Sequence, residues 1–221
     1  MSQPSRGPKT VRGVPKNVTV INHPMIQHNL TLLRDTRTNP QEFRRLLGEI
    51  ASLMVYEATR TWESVATSVT TPLAPAKGSS LKREVVLVPV LRAGLGMLDA
   101  ILQLIPHARV GFIGLKRNEE TLEAMSYLKS LPGDLSAAEI LLIDPMLATG
   151  GSTEAALDLL IERGAQRVRL VNLVAAPEGI QRVHARYPKV PIFTAAIDER
   201  LNDKGYILPG LGDAGDRLFG V

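Results

Sequence analysis

Apolar residues along this chain follow two rhythms. From Asn39 the stretch NPQEFRRLLGEIASLMVYEATRTWESVATSV sets Phe43, Leu46, Leu47, Ile50, Leu53 and Met54 three and four apart, the spacing of one helix face. Asn39 and Pro40 read as a cap and a first-turn residue, so a helix is expected from Asn39 to about Thr70. Tyr56 and Trp62 on that pattern are expected in the core or in subunit contacts. The next stretch, TPLAPAKGSS (71–80), reads as a turn or loop. Short apolar runs follow at 85–90, 109–115, 140–143, 168–174 and 192–197, with helical patterns at 95–104, 152–163 and 178–186 between several of them. Apolar strands that alternate with helices predict an α/β domain built on a parallel sheet covered on both faces. Residues 116–133 break the alternation and carry KRNEE without a strong period. A connection of that length predicts a functional flap or an additional hairpin.

Composition fits a soluble globular chain: 44% hydrophobic and 22% charged, with only 4% aromatic residues, so packing rests on Leu, Val, Ile and Ala. The formal charge of +4 suggests nucleic acid until it is located. Arg6, Lys9, Arg12 and Lys16 occupy the first sixteen residues without an acidic neighbour, and the remaining 22 Lys and Arg balance 22 Asp and Glu. The body is neutral. Pro4, Gly7, Pro8, Gly13 and Pro15 make residues 1–18 read as a flexible basic tail, with 19–221 as one domain. The chain lacks a signal-peptide core and any run of about 18 uninterrupted apolar residues, so the cytoplasm is the expected location and no membrane partner is expected. Having no Cys, it forms no disulfide and uses no thiolate nucleophile or Cys-ligated zinc. His23 and His28 are five apart and make a poor metal pair.

The stretch LLIDPMLATGGSTEAALDLL (141–160) carries the clearest chemistry. An apolar strand ends in Asp144, and a loop closes on Gly150 and Gly151 before Ser152 and Thr153 open a helix. In open α/β sheets ligands bind beyond the carboxyl ends of strands, where first-turn N–H groups await an anion. Thr149, Ser152 and Thr153 suit either phosphate oxygens or a helix cap. A Walker loop is excluded because no Lys lies here. The GLGDAG at 210–215 matches G-x-G-x-x-G, but it lies too near the C-terminus for the helix and strand of a dinucleotide unit. A carboxylate beside a phosphate cradle makes sense when that part of the ligand carries hydroxyls, as a ribose diol does, with Mg²⁺ bridging nearby oxygens. A plain helix cap would use the same residues, and the stretch alone does not choose.

IDPMLATGGS resembles the phosphoribosyl-pyrophosphate loop of the type I phosphoribosyltransferases, in the form typical of the uracil phosphoribosyltransferase family. The resemblance extends in order through HPMIQHNL (23–30), YEATR (56–60), PVLRAGLGML (89–98), VAAPEGI (174–180) and TAAIDERLNDKGYILPGLGDAGDRLFG (194–220). It implies a parallel sheet flanked by helices, a flap hairpin and a C-terminal hood that binds the base. It also implies conversion of uracil and 5-phosphoribosyl 1-diphosphate to UMP and diphosphate with Mg²⁺, GTP as a candidate effector, and a homodimer or homotetramer.

Residue by residue, the resemblance places the 5-phosphate on Thr149, Gly150, Gly151 and Ser152, with Pro145, Met146, Leu147 and Ala148 lining the same loop. Asp144 would hold the ribose hydroxyls. Many relatives in the broad superfamily have two consecutive acids here, so Asp144–Pro145 implies a metal bound through the ligand's own oxygens and no protein metal site. Arg92 in LRAGLG would bind diphosphate, with Gly94 and Gly96 admitting backbone nearby, and Arg117 would close over it from the flap. Tyr206, Ile207, Gly212 and Ala214 would form the uracil pocket, with Asp213 near the ribosyl donor. The chain departs from the family at Lys116, where an aromatic is common, and at Ala124–Met125, where Pro-Val is usual. The alternative function is an RNA-binding pyrimidine regulator on the same fold, which the neutral body disfavours; an enzyme for another base is a third reading.

Overall fold

The computed structural model of the chain describes residues 13–117 and 124–221, the side chains at 116, 117, 124 and 125 excepted. The tail reading at residues 1–12, the Arg117 side chain and the departures at Lys116 and Ala124–Met125 therefore lie outside what is described.

In chain order the elements are β1 (Val18–Val20), α1 (Pro24–Arg34), α2 (Pro40–Ala58), β2 (Ser64–Thr70), β3 (Pro75–Leu81), β4 (Val85–Leu91), α3 (Leu95–Leu104), β5 (Arg109–Val110), β6 (Phe112–Arg117), β7 (Ala124–Ser130), β8 (Glu139–Ile143), β9 (Met146–Leu147), α4 (Gly151–Glu162), β10 (Val168–Ala175), α5 (Pro177–Arg186), β11 (Ile192–Ile197), β12 (Arg200–Leu201), β13 (Ile207–Leu208) and α6 (Ala214–Phe219). The main sheet runs β1-β11-β10-β8-β4-β6-β7, with β5 beside β4 and β9 beside β10. Every pairing is parallel except β6 with β7. The expected parallel sheet is thus present, and within the break at 116–133 the strand at 124–130 pairs antiparallel with β6.

The central strands are buried on both faces. EILLI of β8 is buried throughout, as are the first six residues of β4. On one side Leu87, Leu141, Ile143 and Val171 pack against Phe43, Leu46, Ile50 and Met54 of α2 and Met97 and Ile101 of α3. On the other, Val86, Val88, Ile140 and Leu142 pack against Ala156, Leu157 and Leu160 of α4 and Ile180 and Val183 of α5. Each fully buried aliphatic side chain contributes about 1.5–3 kcal/mol of transfer free energy, so this double layer fixes where the strands end.

Two expectations are corrected. The helix from Asn39 stops at Ala58, and Ser64–Thr70 is a strand paired with Pro75–Leu81, where a turn was expected. The apolar period ends at Ala58, and Val65, Thr67 and Val69 then alternate as β-branched residues do in strands. Asn39 does cap the helix, its side chain accepting the Glu42 N–H at 2.9 Å. The β2–β3 hairpin forms its own two-stranded sheet and exposes Val65, Val69, Leu81 and, at 97%, Leu73. Tyr56 is exposed beneath Arg60, whereas Trp62 packs on the core beside Arg169. A helix not read from the pattern, α1, is capped by His23, whose Nδ1 accepts the Met25 N–H at 3.2 Å.

Candidate active site

Strand β8 delivers Asp144 to the carboxyl edge of the sheet, and the loop after it is stitched to β10. The Pro145 carbonyl accepts N–H groups of Leu173 and Val174, the Leu147 carbonyl accepts that of Ala176, and Met146 and Leu147 pair as β9 with Val174 and Ala175. From the far side Asn172, fully buried, donates its Nδ2 to the Asp144 carbonyl at 2.6 Å. The loop then turns at Gly150, whose φ of +80° is a conformation glycine adopts without a Cβ penalty. Gly150 is also the capping position of α4 and has no side chain to offer the helix. The first-turn N–H groups of α4, with the positive end of the helix dipole behind them, form a place that suits an anion.

The loop lies unusually close to α5. A Cβ on Gly179 would fall 2.3 Å from the Ala148 carbonyl oxygen and 2.9 Å from that of Leu147. Arg182, one turn on, reaches the same corner: its Nη1 lies 3.4 Å from where a Cβ on Gly151 would sit, and its Nε donates to Glu154 at 2.6 Å.

A cavity of about 390 Å³ opens over this loop, lined by Ala93, Asp144, Met146, Ala148 and Ser152 on one side and by residues 204–207 and 212–215 on the other. The structure thus brings the two sequence-expected groups together: Asp144, Met146, Ala148 and Ser152 face Tyr206, Ile207, Gly212, Asp213 and Ala214. Pro145 and Leu147 lie beneath and support the loop, Leu147 as a fully buried core residue. Thr149, Gly150 and Gly151 complete the turn into α4. Asp213 has a second task, capping α6 by accepting the Asp216 N–H at 3.0 Å.

Arg92 does not line this cavity; its guanidinium carbon sits 5.9 Å from the Phe219 ring centroid. The peptide between Leu91 and Arg92 is cis. At Gly96 a Cβ would meet Leu47 and Leu218 at about 2.5–2.6 Å, so its smallness serves the packing of α3 on α2 and α6. Gly94 is pressed on the carbonyls of Val90 and Ile143. A larger hollow, about 580 Å³, lies between α2, α3 and α6 with Arg45, Glu49, Ser52 and Asp99 in its wall, and shares none of the loop's residues.

Burial pushes the Asp144 carboxyl up from 3.8 to about 7, and the Met146 N–H, 3.4 Å away, only partly opposes this. Asp144 as a residue is half-buried and lines the cavity. An acid with so raised a pKa beside a helix N-terminus suits a ligand that brings cations or hydroxyl donors with it. Residues that sequence reading passed over are Lys204, which lines the cavity within the hood motif, Arg182, one helical turn beyond the Gly179 motif, and Asn172, which nothing in the sequence around it marks.

The family model described as uracil phosphoribosyltransferase matches residues 20–221. The uracil phosphoribosyltransferase of Thermoanaerobacter sp. strain X514 is 54% identical over 207 residues, 93% of this chain and 99% of that one. The solved structure of the AQ2163 protein from Aquifex aeolicus superposes with a TM-score of 0.89 at 43% identity, covering 92% of this chain and 98% of the other. A more distant likeness, adenine phosphoribosyl transferase from Trypanosoma brucei, has a TM-score of 0.56 at 15% identity over 85% and 86% of the two chains and speaks for the fold alone. With the match spanning both the β8–α4 loop and the hood that faces it, the chain belongs to the uracil phosphoribosyltransferase family.

Proposed function

We propose that this chain transfers the phosphoribosyl group of 5-phosphoribosyl 1-diphosphate to N1 of uracil, releasing diphosphate and the N1 proton and giving UMP. The observation that carries this reading is the cavity, which sets the Asp144–Ser152 loop opposite the 206–215 hood. The 5-phosphate sits on the first turn of α4, where each charge-assisted hydrogen bond contributes about 1.5–3 kcal/mol. Asp144 holds the ribose hydroxyls between the cradle and the hood. As the C1–O bond breaks, negative charge gathers on diphosphate while the ribose becomes oxocarbenium-like. Arg92 and Arg117 are the residues for that charge, since a planar guanidinium fork matches phosphate oxygens. Arg92 reaches it by leaving Phe219.

Among the described residues no three His, Asp or Glu side chains form a metal cluster, and two carboxylates, Asp144 and Asp213, line the cavity. Such a donor set fits a Mg²⁺ that is bound chiefly by substrate oxygens and keeps its waters. Bound there, the ion would neutralise charge on the diphosphate.

In the hood, backbone groups of Ile207, Gly212 and Ala214 read the N3–H and two carbonyls of uracil, with Tyr206 at the rim. Self-association is supported by the β2–β3 hairpin, whose exposed Val65, Val69 and Leu73 suit burial against a second copy. GTP is kept as a candidate effector on family resemblance alone. The RNA-binding alternative gains no support from the family match or the relatives, and no described helix is long and apolar enough to cross a membrane. The test is turnover of Arg92→Ala in a folded protein: a loss of about 10²-fold or more, the scale of removing one preorganised charge-stabilising donor, supports the site, and wild-type rates would refute it.

A further inference from the structure

Three side chains that hold the hood in place do not line the cavity. Arg34, the last residue of α1, forks onto Asp198: Nη1 to Oδ2 and Nη2 to Oδ1, both at 2.7 Å. The same Nη1 donates to the Gly210 carbonyl at 2.6 Å, and the Gly210 N–H donates back to Asp198 Oδ2 at 2.8 Å. One ion pair therefore occupies both backbone polar groups of Gly210. Gly210 itself has φ +62°, and a Cβ there would fall 2.1 Å from the Ile207 carbonyl oxygen.

The next carbonyl along, that of Leu211, accepts from Arg217 Nη1 at 3.1 Å. Arg217 also donates to the carbonyls of Leu33 at 2.7 Å and Asp35 at 2.6 Å, with its guanidinium 4.7 Å from the Phe43 ring centroid. Both ends of this arrangement are anchored in the core. The Asp198 N–H donates to Ala175 of β10 at 2.9 Å, and Leu33 is fully buried.

Arg34 and Asp198 expose only 23% and 6% of their side chains. A pair taken so far out of water is a poor source of stability, because desolvation offsets the attraction. What it does supply is geometry, since a bidentate fork fixes both distance and angle. A pocket that reads its base through backbone groups needs that, because those groups have no rotamers with which to correct themselves.

We propose that the Arg34–Asp198 pair, seconded by Arg217, positions the base-reading loop and thereby sets affinity and selectivity for the base without touching it. The proposal rests on reading residues 206–215 as the base pocket. Because both backbone polar groups of Gly210 are spent on the Arg34–Asp198 pair and the Leu211 carbonyl on Arg217, the loop cannot slide to suit a mismatched base, and the mismatch leaves polar groups unpaired.

The test compares steady-state kinetics and thermal melting of the full-length wild type, Arg34→Lys, Asp198→Asn and, as a comparator within the loop, Gly212→Ala. Arg34→Lys keeps the charge and loses the fork; Asp198→Asn keeps the shape and loses the charge. Each clamp variant is expected to raise KM for uracil at least about tenfold, the scale on which small misplacements act, to leave KM for 5-phosphoribosyl 1-diphosphate within about twofold, and to narrow the preference for uracil over cytosine. If Gly212→Ala raises KM for uracil and neither clamp variant does, the proposal is wrong and the pocket reading stands. If none of the three moves it, the pocket reading fails and takes the proposal with it. A parallel rise in both KM values with a lower melting temperature would make the pair merely structural and would also overturn the proposal.

Discussion

Replacing Asp144 by Asn should stabilise the ligand-free protein while it disables the enzyme. The carboxyl titrates near 7 in the fold against 3.8 as a free side chain, because burial disfavours its charge. Below about pH 3.8 both folded and unfolded chains hold the proton and the group has no effect. Between 3.8 and about 7 the folded chain keeps a proton that the unfolded chain has released, so stability falls as pH rises through this window, and above 7 the full cost remains. At 1.36 kcal/mol per pKa unit the ceiling is about 4 kcal/mol. Asp144 is half-buried and lines the open cavity, and the high effective dielectric of such sites brings the expected cost down to about 1–2 kcal/mol. For a chain of this size that is roughly 2–8 °C in melting temperature. Asn carries no such charge, so Asp144→Asn should melt higher than wild type at pH 8 and match it near pH 4. The assay is ligand-free thermal unfolding followed by circular dichroism across that range, with turnover measured on the same preparations. Turnover should drop about 10²-fold or more, as expected when charge-assisted hydrogen bonds of 1.5–3 kcal/mol each are lost. A variant that melts lower than wild type at pH 8, or a difference independent of pH, would refute the reasoning.

Other consequences follow from the same geometry. If the ionised Asp144 holds the ribose hydroxyls, kcat/KM for 5-phosphoribosyl 1-diphosphate rises with pH through a limb near 7, and a flat profile from pH 6 to 8 contradicts that role. Gly179→Ala should push the loop off α5, costing about 1–3 kcal/mol as overpacking does and weakening donor binding in calorimetry; unchanged affinity would mean the 2.3 Å approach to Ala148 is relieved elsewhere. Asn172→Ala strands the Asp144 carbonyl and should cost about 1–3 kcal/mol, read as a lower denaturation midpoint. Leu73→Asp on the hairpin should shift the protein toward monomer in sedimentation, and an unchanged mass would clear the hairpin of any part in assembly.

What the sequence revealed and what it hid divide on physical lines. The main strands were legible because a sheet covered on both faces demands continuous apolar runs such as VVLVPV and ILLI, and α3, α4 and α5 fall between them. The β2–β3 hairpin was not, because VATSVT is exposed on both faces and its alternation followed a helical period with no Gly or Pro to mark the change. The loop residues and the hood residues were legible by motif, but their placement across one cavity is a product of the fold. Arg34, Arg217 and Asn172 could not be read at all: Arg34 meets Asp198 across 164 positions and Arg217 meets Leu33 across 184, separations at which only the folded backbone brings donors to carbonyls. Gly96 was read as admitting backbone near the diphosphate, and the fold shows it making room for Leu47 and Leu218.

The decisive experiment for a uracil-specific transferase is UMP formation from 5-phosphoribosyl 1-diphosphate with uracil, run beside cytosine, hypoxanthine and orotate, with and without Mg²⁺. Product from uracil alone, and only with the metal, is the predicted result. Product from another base at a comparable rate, or none from uracil while the donor still binds, would contradict it.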